Sequence, residues 1–176
     1  GHKVHAPKGI GALYIKSGTE IENFIFGGSQ ERSRRAGTEN VAGIVGFSKA
    51  IDILRDSREK NVSKRFALRE YFLKILNENF SRFNINGSLE NRYSGNINIS
   101  FPEVDKEMLI MSMDFRGICI SGGSACSSGA VEKSHVLDAM GIEEELKNSA
   151  VRISFGENNT FEEIDEFILA LKEIID

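Results

Sequence analysis

The segment NINISF, Asn96 to Phe101, alternates without exception: Ile97, Ile99 and Phe101 fall on one side of an extended chain, and Asn96, Asn98 and Ser100 on the other. A period of two describes a strand with one face buried and one polar, and a helix cannot accommodate it. VRISF, Val151 to Phe155, repeats the pattern, with Val151, Ile153 and Phe155 opposed to Arg152 and Ser154. Two such strands need a cover over their apolar faces, and helical patterns elsewhere in the chain can supply it.

Ile44, Phe47, Ile51 and Leu54 share one helical face, which predicts a helix capped by Thr38 and running to about Arg58. Leu68, Phe72, Ile75 and Leu76 predict a second. Between them RDSREKNVSKR, Arg55 to Arg65, reads either as a domain junction or as the solvated ends of two successive helices. Asp105 can cap a helix containing Met108 to Met111, apolar on several sides and expected to be well buried, with Gly117 as its stop. Ser134 can cap another that ends at Gly141. Thr160 and Glu163 form a capping box ahead of Phe161, Ile164, Ile168, Leu171 and Ile175. Gly11 to Lys16, Phe24 to Phe26 and Ile118 to Ser121 have strand character. The expected fold class is α/β, with an α+β domain able to form its own core from about residue 59.

The 176 residues carry a formal net charge of -4, which argues against a nucleic-acid binder; Arg32, Arg34 and Arg35 are the densest positive patch. No apolar run approaches the roughly 18 to 20 residues of a membrane span, and no leader opens the chain. Two cysteines fit a reducing, cytoplasmic setting better than a disulfide scaffold. With no initiator methionine, the sequence reads as a piece of a longer chain.

Between Ser121 and Gly129 lies SGGSACSSG, a glycine- and serine-rich loop around Cys126. Almost nothing there can bury a thiol, so the sulfur is expected to meet solvent. A nucleophilic cysteine acts as its thiolate and needs a cation or a bound electrophile nearby; Lys133 and His135 follow, but loop spacing does not position them. Cys119 reads as a small buried packing residue. A zinc site from Cys119, Cys126 and His135 lacks the paired spacing of structural sites, so no metal is expected. Arg152 fits a solvated strand face or a guanidinium fork aimed at a carboxylate. Lys3 fits a frayed, hydrated side chain, and Thr38 fits a helix cap that also offers a hydroxyl to an anion.

In order, GHKVHAPKGIGALYI, RRAGTENV, NGSLENRYSGNINISF, SGGSACSSG and VRISFG resemble the C-terminal half of cysteine desulfurases of the NifS/IscS type, within the fold-type I, class V aminotransferase-like enzymes of pyridoxal phosphate. The likeness covers essentially the whole chain. It implies that Lys3 holds pyridoxal 5'-phosphate as a Schiff base, that His2 binds near the cofactor phosphate, and that Thr38 reaches the phosphate of the neighbouring subunit in a homodimer. It implies further that Arg152 holds the carboxylate of L-cysteine and that Cys126 takes the substrate sulfur as a persulfide for an acceptor protein, leaving L-alanine. SACSSG looks like the long-loop group, whose members supply iron–sulfur cluster scaffolds or tRNA thiolation.

The family's N-terminal half has no counterpart here, and with it go the group that stacks on the pyridoxal ring and the aspartate that pairs its nitrogen. Residues 1–58 are therefore expected to be a remnant of the cofactor-binding large domain, and residues 59–176 a small C-terminal domain carrying the cysteine loop. The cofactor is expected to be absent or weakly bound, and the piece inactive by itself. Two alternatives stand beside this reading: a non-catalytic domain that binds a partner or accepts sulfur, and a selenocysteine lyase.

Overall fold

The computed structural model describes residues 1–123 and 134–175. Cys126 and Lys133 lie outside the described residues. The chain divides into two compact units, Gly1–Glu59 and Lys60–Asp176.

In the first unit His2–Val4 form a short 3-10 turn, and Gln30–Ser33 a single turn, α1. Glu31, Arg32 and Ser33 have φ of 52°, 60° and 62°, a left-handed backbone that costs residues bearing a Cβ about 1–2 kcal/mol each. Neither Gly11–Lys16 nor Phe24–Phe26 is a strand. The correction is physical: an extended segment must exchange backbone hydrogen bonds with a neighbour, and no named strand lies in this unit. The unit's buried apolar side chains are Ala6, Ala36 and Ala50, while Tyr14, Phe24 and Phe26 are exposed.

Helix α2 spans Val41–Asn79. The expected break near Arg58 does not occur, because Arg55 to Arg65 contains neither glycine nor proline and its charged residues are adequate helix formers. Nor is Thr38 the cap. That place belongs to Asn40, whose Oδ1 accepts from the Gly43 amide at 3.0 Å, the bond that an N-cap side chain makes to the third helical residue.

The second unit is built on a three-stranded sheet, β1 (Asn84–Ile85), β2 (Asn96–Ser100) and β3 (Ala150–Ser154), ordered β1-β2-β3 and antiparallel throughout. The alternation of NINISF and VRISF is realised as read: Ile97, Ile99, Phe101, Val151, Ile153 and Phe155 are buried. Against them pack Leu68, Phe72 and Leu76 of α2, Leu109 and Met113 of α3 (Lys106–Asp114), and Ile164, Phe167, Ile168 and Leu171 of α6 (Phe161–Ile175). This is a mixed helix and sheet architecture with one core. Two short helices, α4 (His135–Ala139) and α5 (Glu144–Asn148), complete the unit.

The caps behave as their chemistry requires. Asp105 accepts from Met108 N at 2.8 Å, and Ser134 from Leu137 N at 3.4 Å. Gly117, at φ 76°, lets the chain turn after α3. Met108 and Met111, expected to be buried, are instead 67% and 59% exposed, because a nine-residue helix turns only one side to the core and Leu109 and Met113 occupy it. Ile118 to Ser121 is reduced to one bridge, Ser121 to Arg152. Cys119 is exposed, since Ile118 and Ile120 take the side packed against the core and alternation turns the sulfur outward.

At the start of α6 the Thr160 amide donates to Glu163 at 3.1 Å and the Glu163 amide to Thr160 Oγ1 at 3.3 Å. The bond from the Asn159 amide, then that from the Thr160 backbone, holds the Glu163 carboxyl below its ordinary value of 4.5. A depressed carboxyl stabilises the fold above its unfolded pKa and loses that contribution as pH falls through its folded one. Thermal melts should show wild type losing Tm more steeply than Glu163→Gln as the pH drops below 4.5; parallel curves would contradict the cap's role.

Candidate active site

Lys3 sits on the turn His2–Val4, closed by Val4 N to Gly1 O at 3.0 Å, His5 N to His2 O at 3.3 Å and Ala6 N to Gly1 O at 3.2 Å. His2 and Lys3 are both exposed. Thr38 is exposed as well, two residues before the Asn40 cap of α2, and so near a helix N-terminus, where backbone amides favour an anion.

In the second unit Arg152 lies on β3, half-buried on the polar face. Its backbone exchanges both hydrogen bonds with Ser121: the Arg152 amide donates at 2.6 Å and its carbonyl accepts at 3.2 Å. The sheet is thereby stitched to the segment that precedes Cys126 in the sequence. Ser121 Oγ donates to Gly123 O at 2.9 Å and accepts from Gly123 N at 3.3 Å. Between them Gly122 runs close to α3: a Cβ there would stand 3.0 Å from Lys106 Cδ and 3.2 Å from Ile110 Cδ1. Only glycine clears that approach without displacing its neighbours.

The polar face carries a row that residue chemistry alone did not single out. Asn86 is fully buried. Its Nδ2 donates to Asn98 Oδ1 at 2.7 Å and to Ser100 Oγ at 2.8 Å, and its Oδ1 accepts from Asn84 Nδ2 at 2.9 Å. Ser100 Oγ donates onward to Leu146 O at 2.6 Å. Arg92 donates to the Asn86 carbonyl; burial first, and then the neighbouring Arg69, lowers its pKa. The alternation had set Asn96, Asn98 and Ser100 on one side, and what it lacked was the register that brings Asn98 opposite Arg152.

His2, Lys3 and Thr38 thus belong to the first unit and Arg152 to the second. A primary amine without a salt-bridge partner among the described residues can condense with an aldehyde, and a hydroxyl near a helix N-terminus can meet a phosphate. These groups fit the attachment end of pyridoxal phosphate. Among the described residues no group of three or more His, Cys, Asp or Glu could hold a metal ion, and no helix is long and apolar enough to cross a membrane.

A family-wide profile described as aminotransferase class-V matches residues 1–167. A protein named cysteine desulfurase IscS from Dictyoglomus turgidum is 42% identical over 175 residues, which is 99% of this chain and 44% of that protein. A cysteine desulfurase from a Nostoc species is 41% identical over 176 residues, again 44% of its length. Among solved structures, one titled NifS-like protein superposes with a TM-score of 0.84 at 34% identity, covering 99% of this chain and 44% of that one. Another, titled SspA in complex with cysteine, gives a TM-score of 0.65 at 33% identity, with 91% and 43% covered. The chain thus spans less than half the length of these relatives.

Proposed function

Because the chain belongs to the aminotransferase class-V family, we propose that the intact protein containing it is a cysteine desulfurase, which removes sulfur from L-cysteine with pyridoxal phosphate. The observation that carries this reading is the pair of backbone bonds between Arg152 and Ser121. They join Arg152, on the polar face of the sheet, to the segment that leads, five residues on, to Cys126. A cation suited to a carboxylate and the segment leading to a thiol thus meet at one β-bridge.

Pyridoxal phosphate supplies an electron sink for the substrate's Cα and Cβ. Lys3 would hold it by its amine and would move the proton at the substrate's Cα; His2 and Thr38 would hold its phosphate. Arg152 grips the substrate carboxylate with two parallel N–H donors. Cys126, as thiolate, attacks the substrate sulfur. An S–S bond forms, the C–S bond breaks with its electron pair passing to Cβ, and Cβ takes up a proton. The sum is balanced: L-cysteine and a thiol become L-alanine and a persulfide. The persulfide then passes to an acceptor protein, such as an iron–sulfur scaffold or a tRNA thiolation factor. A homodimer, with Thr38 serving the neighbouring subunit's cofactor, and a cytoplasmic setting complete the proposal. The units correspond to part of a cofactor-binding large domain and a small domain carrying the loop.

Incubating the intact protein with pyridoxal phosphate and L-cysteine should yield equal amounts of alanine and transferable sulfur. Arg152→Lys keeps the charge but loses the fork. It should raise the KM for L-cysteine by roughly a factor of ten or more, the scale of one hydrogen bond to a charged group, with a smaller change in kcat. No alanine from wild type, or an unchanged KM in the variant, would refute the assignment.

A further inference from the structure

We infer that Asn98 is a second ligand of the substrate carboxylate, its side-chain amide donating beside the Arg152 guanidinium; this rests on the reading that Arg152 binds that carboxylate. Three independent features of the sheet lead to Asn98. The first is register. Asn98 of β2 lies directly opposite Arg152 of β3, and directly opposed residues present their side chains on the same face.

The second is the kind of pair. Arg152 spends its amide and carbonyl on Ser121, while the Asn98 carbonyl accepts from the Asn86 amide at 2.9 Å. In an antiparallel ladder a residue's N–H and C=O point to the same side, so these two residues turn their backbone polar groups away from each other. Theirs is the non-hydrogen-bonded pairing, in which Cα atoms stand about 4.5 Å apart and side chains approach most closely.

The third is the direction of the amide, which the buried network fixes by elimination. Ser100 has one hydroxyl hydrogen and gives it to Leu146 O, so towards Asn86 it can only accept. The group of Asn86 facing Ser100 is therefore Nδ2, and the same Nδ2 donates to Asn98. Asn98 must show Asn86 its oxygen. With that oxygen turned towards β1, the Asn98 amide nitrogen is turned away from β1, and β3 with Arg152 lies on that other side.

The Asn98 Nδ2 and the Arg152 guanidinium make no hydrogen bond or ion pair among the described residues. Both side chains are half-buried, where polar contacts are stronger than in bulk water. Two adjacent donor groups, one cationic and one neutral, match the two oxygens of a single carboxylate. Asn86 acts through Asn98 as a positioning residue, since its two donated bonds hold the amide in one orientation.

The test uses the intact protein loaded with pyridoxal phosphate. Asn98→Ser keeps an oxygen for Asn86 but shortens the donor, and Asn98→Asp keeps the oxygen and replaces the donor by an anion. The readouts are KM and kcat for L-cysteine, inhibition by L-alanine and by ethylamine, and Tm. Expected for Asn98→Ser is a KM and an L-alanine inhibition constant raised roughly tenfold, with kcat within about twofold, ethylamine inhibition unchanged and Tm retained; Asn98→Asp should show a larger rise. An Asn98→Ser enzyme with unchanged KM, while Arg152→Lys raises it, overturns the role of Asn98 and leaves the desulfurase reading standing. A KM unmoved in both variants removes the reading on which this inference rests. A fall in Tm and kcat with KM unmoved assigns Asn98 to the fold alone, and also overturns it.

Discussion

The Cys126→Ser variant of the intact protein is expected to form alanine from L-cysteine at least roughly a thousandfold more slowly than wild type, the scale of removing a covalent nucleophile. The step it blocks is transfer of a sulfur atom with its bonding electrons rearranged, so the acceptor must itself be a good sulfur nucleophile. A thiolate is one; a serine hydroxyl at neutral pH is not, and a bond from its oxygen to sulfur would not serve as a sulfur carrier. Arg152 and Asn98 are untouched, so L-alanine should inhibit the variant as it inhibits wild type. Mass spectrometry of the wild type during turnover should find one added sulfur on the peptide containing Cys126 and none on that containing the exposed Cys119. Sulfur release that survives the substitution would dismiss the nucleophile. Survival with L-selenocysteine alone would instead favour a selenocysteine lyase, whose substrate expels selenium without help from the loop.

Where the sequence could be read, local pattern and local chemistry coincided. NINISF and VRISF could be assigned to half-buried strands because alternation is decided within five residues, and the Thr160–Glu163 box because both partners lie within one turn. The failures share one cause, that a segment's fate depended on a neighbour the pattern does not name. Gly11 to Lys16 has strand residues but no partner strand in its unit. Met108 and Met111 are apolar, yet the core can cover only the side of α3 that Leu109 and Met113 take. Arg55 to Arg65 looks like a break between two helices because it is charged, whereas charge leaves helical hydrogen bonding intact: α2 runs through it, and the passage from one compact unit to the next, between Glu59 and Lys60, falls inside that helix.

The same distinction runs through the candidate site. The residue types at Lys3, His2, Thr38 and Arg152 could be chosen from motif resemblance, and each lies exposed or half-buried on a turn, before a helix or on a strand. Asn98 could not be chosen in that way, because its significance comes from register with β3 and from a chain of bonds through Asn86, Ser100 and Leu146, the last of which joins residues 46 positions apart. A buried amide whose nitrogen and oxygen are both engaged, as those of Asn86 are, specifies one arrangement, since a flipped amide would set donor against donor.

Phe72→Ala should destabilise the second unit by about 3–5 kcal/mol. Phe72 is 1% exposed and stands between two other rings, with centroids 5.7 Å from Phe155 and 5.5 Å from Phe167. It therefore connects α2 to the end of β3 and to α6 at one point. Removing it loses the transfer free energy of the ring and leaves a cavity that three separate elements would have to move to fill. Domains are stable by only about 5–15 kcal/mol, so this single change threatens the whole unit, including the strand that presents Arg152. Phe115→Ala is the matched control: the same atoms are deleted from a side chain 85% exposed at the end of α3, where a change within about 0.5 kcal/mol is expected. Urea denaturation of the three proteins, read by circular dichroism, should give a much lower midpoint for Phe72→Ala and coincident midpoints for the other two. A Phe72→Ala loss below about 1 kcal/mol would mean that the site collapses around the missing ring, and that the core is not organised around this contact.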